Sequence, residues 1–464
     1  MKNEQPIIVG LDIGTTKVVA IAGRKNEYGK LEILGMGKVD SAGISHGVVM
    51  NIDQCVRSVE LAIEKCIQSN PNLEIKEVYV GIAGQHIKSR QTKGERVRVN
   101  PDEIITRDDI NMLVRDQYKT YIPAGDQIID VIEQDFSVDN SPSVLDPVGM
   151  TGSKMSGAFH VITGDGNAIR NIKRCVDSAN LITRDLILQP LASAAAVITD
   201  EDLEAGVAIV DIGGGTTDMA VFYDGMLKHT AVIPYAGVNI TNDIRLGLGV
   251  LRAQAEQMKI QFGMALADEA NANAYITIPG LRGLEAKEIS VKNLANIIQA
   301  RTQEILDHVM SQLRQINLDR KLHGGIILTG GGAQLKHLVQ LTEYMTGLSC
   351  RIGYPNEHLA GGHINVLMNP MYATCIGLIL EGCDDFESGN LRFTGDTLNL
   401  VRISSDESNQ ADESDEATNR TELTEEEQFQ EGQKRRRDGI RSLIGRFKGK
   451  LMRIFEEEED NEIE

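Results

Sequence analysis

The chain has 464 residues, enough for two or more packed domains, and its hydrophobic (41%) and charged (25%) fractions are ordinary for a soluble globular protein. A formal net charge of −20 argues against nucleic acid as a partner, because a phosphate backbone repels an acidic surface. The absence of tryptophan agrees, since few aromatic side chains are available to stack on bases. The six cysteines show no CxxC or zinc spacing and are expected to be reduced. No signal peptide is predicted, and no apolar stretch approaches the roughly 20 residues that span a bilayer, so any membrane contact would be peripheral.

Residues 1–84 begin with an apolar strand that ends in an acidic glycine turn. Ile7–Lys17 reads IIVGLDIGTTK, and its turn contains Asp12, Gly14, Thr15, Thr16 and Lys17. A second apolar run and a third strand follow, and together they predict a three-stranded meander. An amphipathic helix over Asn51–Ser69 and a strand over Val78–Ile82 complete a β-β-β-α-β order.

The character of the chain changes between residues 85 and 158. This segment is first basic and polar, then carries a charged helix over Asp102–Gln117, and has no glycine phosphate turn. It is interpreted as an inserted subdomain, and Phe159–Thr163 is predicted to return to the preceding domain as a strand. The alternative is an insertion without a partner. A strand and a small-residue helix, Leu186–Ala196, come next.

The first pattern recurs at Val207–Asp218, VAIVDIGGGTTD. The strand again ends in Asp-Ile-Gly and two threonines again follow, with the turn residues Asp211, Gly213, Gly214, Gly215, Thr216 and Thr217. Two such copies predict two similar domains that face one another. Glycine N–H groups can approach a phosphate closely because no Cβ intervenes. The two aspartates of this stretch, Asp211 and Asp218, can face a divalent cation that bridges to phosphate, usually through water. The alternative is a tight hairpin turn with an acidic rim.

A third glycine cluster lies in Ile326–Leu335, IILTGGGAQL, and contains Gly330, Gly331 and Gly332. It follows an apolar strand and is predicted to open a helix over Leu335–Thr346. The N-terminus of that helix would be a seat for a phosphate, or for the sugar and base beside it.

Two DxG turns and a later TGGG turn make the chain similar to the superfamily of actin, sugar kinases and heat-shock chaperones. Within it the chain closely resembles the FtsA family of bacterial cell-division proteins, over roughly residues 7–382 and again in the tail. The resemblance implies an α/β, actin-like ATPase core of two lobes with duplicated domains. The implied parts are the first lobe (1–84, 159–203 and 369–388), the inserted subdomain (85–158), the second-lobe core (204–243 and 316–368), the second-lobe subdomain (244–315), a disordered acidic linker (389–433) and a membrane-targeting helix (434–456).

The same resemblance implies ATP and magnesium as cofactors. Gly14–Lys17 and Gly213–Thr217 would hold phosphates, Asp12 and Asp211 would hold magnesium water, and Glu256, Lys259 and Gly330–Gly332 would hold adenosine. Gln189 occupies the position at which the superfamily places a residue that orients the attacking water. A glutamine accepts a proton poorly, so ATP hydrolysis would be slow at most. As a bare pair, Glu256 and Lys259 are more often a surface salt bridge at i,i+3 spacing. The alternative for Gln189 is an ordinary loop glutamine before Pro190.

The charge of the C-terminal tail changes from negative to positive along its length. Residues 404–433 are acidic and polar, as in a self-repelling linker. A basic stretch follows, in which apolar residues recur at helical spacing: Ile440, Leu443, Ile444, Phe447, Leu451, Ile454 and Phe455. A basic amphipathic helix on a flexible tether is typical of an interfacial membrane anchor. The alternative is a helix that docks in a protein groove.

By resemblance, the protein would tether the tubulin-like protein FtsZ to the inner face of the cytoplasmic membrane at the division septum. It would bind the FtsZ tail through 244–315, polymerise head to tail on an anionic membrane surface, and contact other divisome proteins through 85–158. The nearest alternative is a pilus-assembly ATPase of the PilM type. A sugar kinase would have no use for a tethered membrane helix, and a chaperone would need a β-rich domain after the ATPase.

Overall fold

The computed structural model describes residues 6–139, 141, 143–279, 285–361 and 364–388. The chain divides into two compact units. One contains the described residues of Met1–Ile87 and Asn171–Leu380, and the other those of Lys88–Arg170 and Glu381–Glu464. None of the helices in these ranges combines the length and the apolar composition that a membrane crossing requires.

The strands of the described residues are, in chain order, β1 (Ile8–Ile13), β2 (Lys17–Lys25), β3 (Leu31–Asp40), β4 (Ile44–Ser45), β5 (Val48–Val49), β6 (Glu77–Ile82), β7 (Lys88–Val97), β8 (Asp126–Val138), β9 (Lys154–Asp165), β10 (Ile182–Leu188), β11 (Val207–Ile212), β12 (Thr217–Tyr223), β13 (Met226–Ile233), β14 (Tyr275–Ile278), β15 (Lys287–Ser290), β16 (Gly325–Thr329), β17 (Cys350–Ile352) and β18 (Leu359–Ala360).

The α-helices are α1 (Ile52–Ser69), α2 (Arg107–Tyr118), α3 (Gly166–Ser178), α4 (Gln189–Val197), α5 (Asp200–Ala205), α6 (Gly237–Leu248), α7 (Arg252–Phe262), α8 (Val291–Gln315), α9 (Leu338–Thr346), α10 (Ile364–Leu367) and α11 (Ala373–Ser388). Short 3₁₀ turns lie at Ala267–Glu269, Gly331–Gln334 and Pro370–Tyr372.

Two sheets of the first unit share one strand order. The first lobe has the order β10-β6-β1-β2-β3-β18, and the second lobe has β13-β12-β11-β16-β17. In each, three consecutive strands pair antiparallel and two later strands add in parallel on the side of the first. The predicted duplication and the two-lobe α/β fold are therefore confirmed.

Helix α1 packs closely on β3 because two glycines of that strand lack side chains. A Cβ on Gly37 would lie 1.8 Å from the carbonyl oxygen of Ala62, and one on Gly35 would lie 2.6 Å from that of Cys66. The strand continues past both glycines to Asp40. The glycines serve helix–sheet contact within the strand, and not a turn at its end.

Helix α8 belongs to two cores of the second lobe. Its C-terminal part, including Leu306 and Leu313, packs with the five-stranded sheet. Its N-terminal part, including Leu294 and Ile298, packs with α6, α7, β14 and β15. A boundary between core and subdomain at 315/316 therefore does not coincide with a break in the packing.

The second unit contains the three-stranded sheet β7-β9-β8, with α2 packed on it. Phe136 and Phe159 form an edge-to-face pair in its core, with ring centroids 6.0 Å apart. The prediction that Phe159–Thr163 returns to the first lobe is wrong, since these residues pair with β7 and β8 inside this unit. An apolar strand pattern identifies a strand but not the sheet that it joins.

Helices α4 and α11 cross in contact within the first unit. A Cβ on Gly377 would lie only 1.7 Å from the carbonyl oxygen of Ala192, so a glycine is required where the backbones meet. Side chains of both helices contact the ends of the central strands, since Gln189 donates to Asp12 of β1, and Ser193 and Thr374 donate to Asp211 of β11.

Candidate nucleotide site

Both acidic glycine turns close with the same hydrogen bond. The N–H of Gly14 donates to the carbonyl of Lys17 at 3.0 Å, and the N–H of Gly213 donates to that of Thr216 at 2.9 Å. The first turn is defined here as Gly14–Lys17 and the second turn as Gly213–Thr216. When the two turns are aligned by this hydrogen bond, Thr15 and Thr16 correspond to Gly214 and Gly215. The sequence pattern had instead aligned them with Thr216 and Thr217.

The two turns face each other in direct contact. A Cβ on Gly214 would lie 2.4 Å from Cγ2 of Thr16, and a Cβ on Gly215 would lie 2.4 Å from Oγ1 of Thr15. The threonines of the first turn therefore occupy space that the glycines of the second turn leave open.

The threonine hydroxyls of the second copy are used inside the protein. Thr216 Oγ1 donates to Oδ2 of Asp218 at 2.7 Å, and Thr217 Oγ1 donates to the carbonyl of Tyr235 at 2.7 Å. Both residues are buried, whereas Thr16 is exposed. At Thr216 and Thr217 these side chains stabilise the turn from within.

Asp12, at the end of β1, is buried and contacts two donors. Gln189 Nε2, at the start of α4, donates to Oδ1 at 3.0 Å, and Lys17 Nζ lies 3.6 Å from Oδ2. Burial raises the pKa of Asp12, repulsion from Asp211 adds to this, and the charge of Lys17 opposes it.

Asp211, at the end of β11, receives two hydroxyl donors that sequence reasoning missed. Ser193 Oγ on α4 donates to Oδ2 at 2.6 Å, and Thr374 Oγ1 on α11 donates to the same oxygen at 3.1 Å. Burial raises the pKa of Asp211, while both hydroxyls and Lys17 act in the opposite direction. Nothing in a helix of small residues marks Ser193 as a partner of a carboxylate.

Asp218 is a third buried carboxylate in the same place. It pairs with Asp211 across β11 and β12, and its Oδ1 has no hydrogen-bond partner among the described residues. Burial, with repulsion from Asp211 and Asp12, raises its pKa to about 8. Within the described ranges, no group of three or more His, Cys, Asp or Glu side chains is arranged to hold a metal ion.

Glu256 and Lys259 on α7 form one network with α6. Lys259 Nζ donates to Glu256 Oε2 at 2.8 Å, to Thr241 Oγ1 at 2.9 Å and to the carbonyl of Gly237 at 3.0 Å. The N–H of Gly237 donates in turn to the carbonyl of Gly213 at 3.1 Å. The pair is therefore joined to the second turn and is more than a surface ion pair.

The TGGG turn packs against the end of β11. Gly330 has φ 83° and ψ 177°, a conformation that is essentially restricted to glycine. A Cβ there would lie 2.2 Å from Oδ1 of Asp211, and one on Gly332 would lie 2.4 Å from the side chain of Ile212, whereas Gly331 faces open space. The expectation that this turn opens an α-helix is wrong, because a 3₁₀ turn follows and α9 begins only at Leu338.

The structure thus brings Asp12, Gln189, Asp211 and all three glycine turns together, and it joins Glu256 and Lys259 to the second turn. The apolar tail residues Ile440, Leu443, Ile444, Phe447, Leu451, Ile454 and Phe455 lie outside the described residues. The duplicated sheets with facing turns define a protein of the actin-like class.

Comparisons with known proteins agree with this class and narrow it. A family profile described as "Cell division protein FtsA" matches residues 208–377, and one described as "SHS2 domain inserted in FTSA" matches 84–163. The FtsA proteins of Pseudomonas aeruginosa and Escherichia coli are 38% and 32% identical, over 82% and 83% of this chain and 91% and 92% of theirs. FtsA of Bacillus subtilis is 33% identical over 82% of this chain and 84% of its own.

The chain belongs to the FtsA family of cell division proteins. A solved structure titled "PilM-PilN type IV pilus biogenesis complex" is similar in fold, with a TM-score of 0.60 over 81% of this chain and 98% of that one, at 15% identity. That likeness concerns the fold alone, and the pilus-assembly alternative is not favoured.

Proposed function

We propose that this cell-division protein binds ATP with Mg²⁺ at the two facing glycine turns. The observation that carries the proposal is their arrangement: two hairpin turns with one closure face each other, and a buried carboxylate lies at the base of each. The backbones of Gly14–Lys17 and Gly213–Thr217 would bind the phosphates, with Lys17 supplying positive charge. Glu256, Lys259 and Gly330–Gly332 would line the adenosine.

The carboxylates suit a magnesium ion held through water. Asp12 and Asp211 offer oxygen atoms only, which Mg²⁺ prefers. Their pKa values are raised by burial, and Asp12 is further affected by repulsion from Asp211. A divalent cation nearby would offset both effects.

Hydrolysis is proposed to be slow. Gln189 can donate or accept a hydrogen bond and so can orient a water, but it is not basic enough to take a proton. Its Nε2 already donates to Asp12. Gln189 would therefore lie beside the water molecule through which Asp12 would hold the magnesium ion. Bound nucleotide would then act mainly as a structural element and a polymer switch.

Lys17→Met tests nucleotide binding. A fluorescent ATP analogue with Mg²⁺ should bind at least about tenfold more weakly, because a charge-assisted contact is worth roughly 1.5–3 kcal/mol. Lys76→Met is the matched control, since it removes the same charge from a side chain that is 75% exposed and pairs with Glu74. Equal affinities of the two variants would contradict the role of the first turn.

We further propose that the protein links FtsZ to the cytoplasmic face of the inner membrane at the septum. The resemblance supports binding of the FtsZ tail by 244–315, which exposes large apolar side chains: Leu246, Leu251, Ile260 and Tyr275. It also supports head-to-tail self-association on the membrane and divisome contacts through 85–158. The basic amphipathic pattern of 434–456 supports the membrane anchor.

Liposome co-sedimentation with FtsZ and ATP tests this assignment. The full chain should pellet FtsZ with anionic vesicles, and a chain that stops at Gln433 should not. Leu246→Asp should keep vesicle binding but recruit less FtsZ, whereas Leu61→Asp, an exposed leucine on α1, should behave as wild type. If the truncated chain pellets FtsZ equally, the tail is not the anchor.

A further inference from the structure

Asp211 is attached to both helices that cross beneath the two turns. Its Oδ2 accepts from Ser193 on α4 at 2.6 Å and from Thr374 on α11 at 3.1 Å, and the two hydroxyl oxygens are 3.0 Å apart. All three residues are at least nine-tenths buried. Water therefore has little access to compete for these hydrogen bonds.

The helices that carry the two hydroxyls have little freedom to separate. Gly377, one turn after Thr374, and Ala192, the residue directly before Ser193, bring the two backbones into contact. The second oxygen of the carboxylate, Oδ1, lies beside Gly330, in space that a Cβ would fill. The N–H of Gly330 donates to the carbonyl of Pro370, just before α11, at 3.3 Å.

Asp12 is held in a different way. One amide from Gln189 and the ammonium of Lys17 contact its two oxygens, and both donors belong to residues that are only partly buried. Asp211 is thus the carboxylate whose orientation is fixed by neutral groups from two separate helices.

We propose that Ser193 and Thr374 are positioning residues for the magnesium ion that accompanies the nucleotide. They retain Oδ2 of Asp211 within the protein, so that Oδ1 is presented for a metal-bound water. The inference rests on the proposed nucleotide function. Partners that orient a metal-binding carboxylate commonly change metal affinity about 10- to 100-fold when they are removed. The dependence of ATP affinity on Mg²⁺ should therefore decrease when these hydroxyls are lost.

The test measures ATP-analogue affinity of the full chain with Mg²⁺ and with EDTA. Ser193→Ala and Thr374→Val should reduce the gain on adding Mg²⁺ by about tenfold while leaving the affinity in EDTA unchanged. The effect should be larger for Ser193→Ala, whose hydrogen bond is shorter. Thr374→Ser restores the hydroxyl and should regain the response.

Thr302→Val is the matched control for a lost buried hydroxyl. Thr302 is 2% exposed, and its hydroxyl donates within α8 to the carbonyl of Ile298. It should keep the wild-type response to Mg²⁺. If Ser193→Ala does not fold, the Thr374 variants decide alone, because valine replaces the hydroxyl of Thr374 by a methyl group while serine removes the methyl group and keeps the hydroxyl.

The outcomes separate the inference from the proposal beneath it. If wild type gains no affinity from Mg²⁺, or Asp211→Asn keeps the full gain, the role of Asp211 in the proposed nucleotide site is wrong. If wild type responds and Asp211→Asn does not, but the hydroxyl variants respond fully, only the inference is overturned. Equal losses with Mg²⁺ and with EDTA also overturn it, since they indicate a structural role.

Discussion

The two glycine turns begin from the same residues, Asp-Ile-Gly, and close with the same hydrogen bond, yet they are not interchangeable halves. The first turn presents the side chains of Thr15, Thr16 and Lys17, while the second has glycines in place of both threonines and the buried Thr216 in place of Lys17. One turn supplies side chains and a positive charge, and the other supplies open backbone into which those side chains fit. A duplicated sequence has produced two complementary surfaces.

The strands that precede the two turns, β1 and β11, also differ in the residues that their aspartates face. Asp12 pairs across its hairpin with Val19, whereas Asp211 pairs with Asp218. The TGGG turn packs against the second aspartate through Gly330. The second half therefore concentrates buried carboxylates at this end of its sheet.

Gly330→Ala should have the largest effect on this comparison, because it disrupts the packing of the TGGG turn against Asp211 and Ile212 at the end of β11, just before the second turn. The backbone conformation excludes a Cβ, and the added methyl would meet Oδ1 of Asp211 and the carbonyl of Ile212. We expect a loss of about 3 kcal/mol in the free energy of unfolding, measured by chemical denaturation. Gly331→Ala, next to it, faces open space and should change stability by less than about 0.5 kcal/mol.

A double-mutant cycle can sharpen the view that the turns are complementary. Gly215→Ala places a Cβ against Thr15 and should cost about 1–3 kcal/mol by overpacking. Adding Thr15→Gly should recover part of this, with a coupling energy of about 1 kcal/mol measured by denaturation. Thr16→Gly, which faces Gly214 instead, should recover less. Strict additivity at Thr15 would mean that the turns do not touch in solution.

The smallest expected effect concerns the carboxylate that has no counterpart in the first copy. Burial raises the pKa of Asp218 to about 8, so the folded protein keeps this proton up to about pH 8. The unfolded chain releases it near pH 4, and the stability of the wild type should therefore fall as pH rises between these values. Asp218→Asn should gain about 1 kcal/mol or more relative to wild type from pH 5 to pH 8, in EDTA.

Asp224→Asn is the control for that titration. Asp224 is exposed just beyond the same strand, and its left-handed backbone (φ 54°) suits asparagine as well as aspartate. It should show the pH profile of the wild type. A flat difference between Asp218→Asn and wild type across this range would contradict a raised pKa at Asp218.

Much of the fold followed from short patterns in the chain. Apolar runs that end in Asp-Ile-Gly identified β1 and β11, and the meander after each was readable from its glycine turns. Helical spacing of apolar residues identified α1, and the run before TGGG identified β16. These signals are local, since a strand or a hairpin turn is specified by residues within a few positions of one another.

The errors concern relations between distant segments. The strand at Phe159–Thr163 was recognised, but its partners are β7 and β8, and no local signal names a partner. The threonines after the two DIG sequences looked equivalent, but the two extra glycines of the second copy shift them to the last residue of the turn, Thr216, and the first residue of β12, Thr217. The TGGG turn was recognised, but the start of the helix after it was not.

The sequence by itself determined that two acidic glycine turns and a TGGG turn exist, that the fold is duplicated, and that the chain resembles the FtsA family. Only the tertiary structure decided that Thr15 and Thr16 meet Gly215 and Gly214, and that Ser193 and Thr374 meet Asp211. The physical reason is distance along the chain. Thr374 is 163 residues from Asp211, and a small hydroxyl on a buried helix acquires its role from whichever carboxylate the packing brings to it.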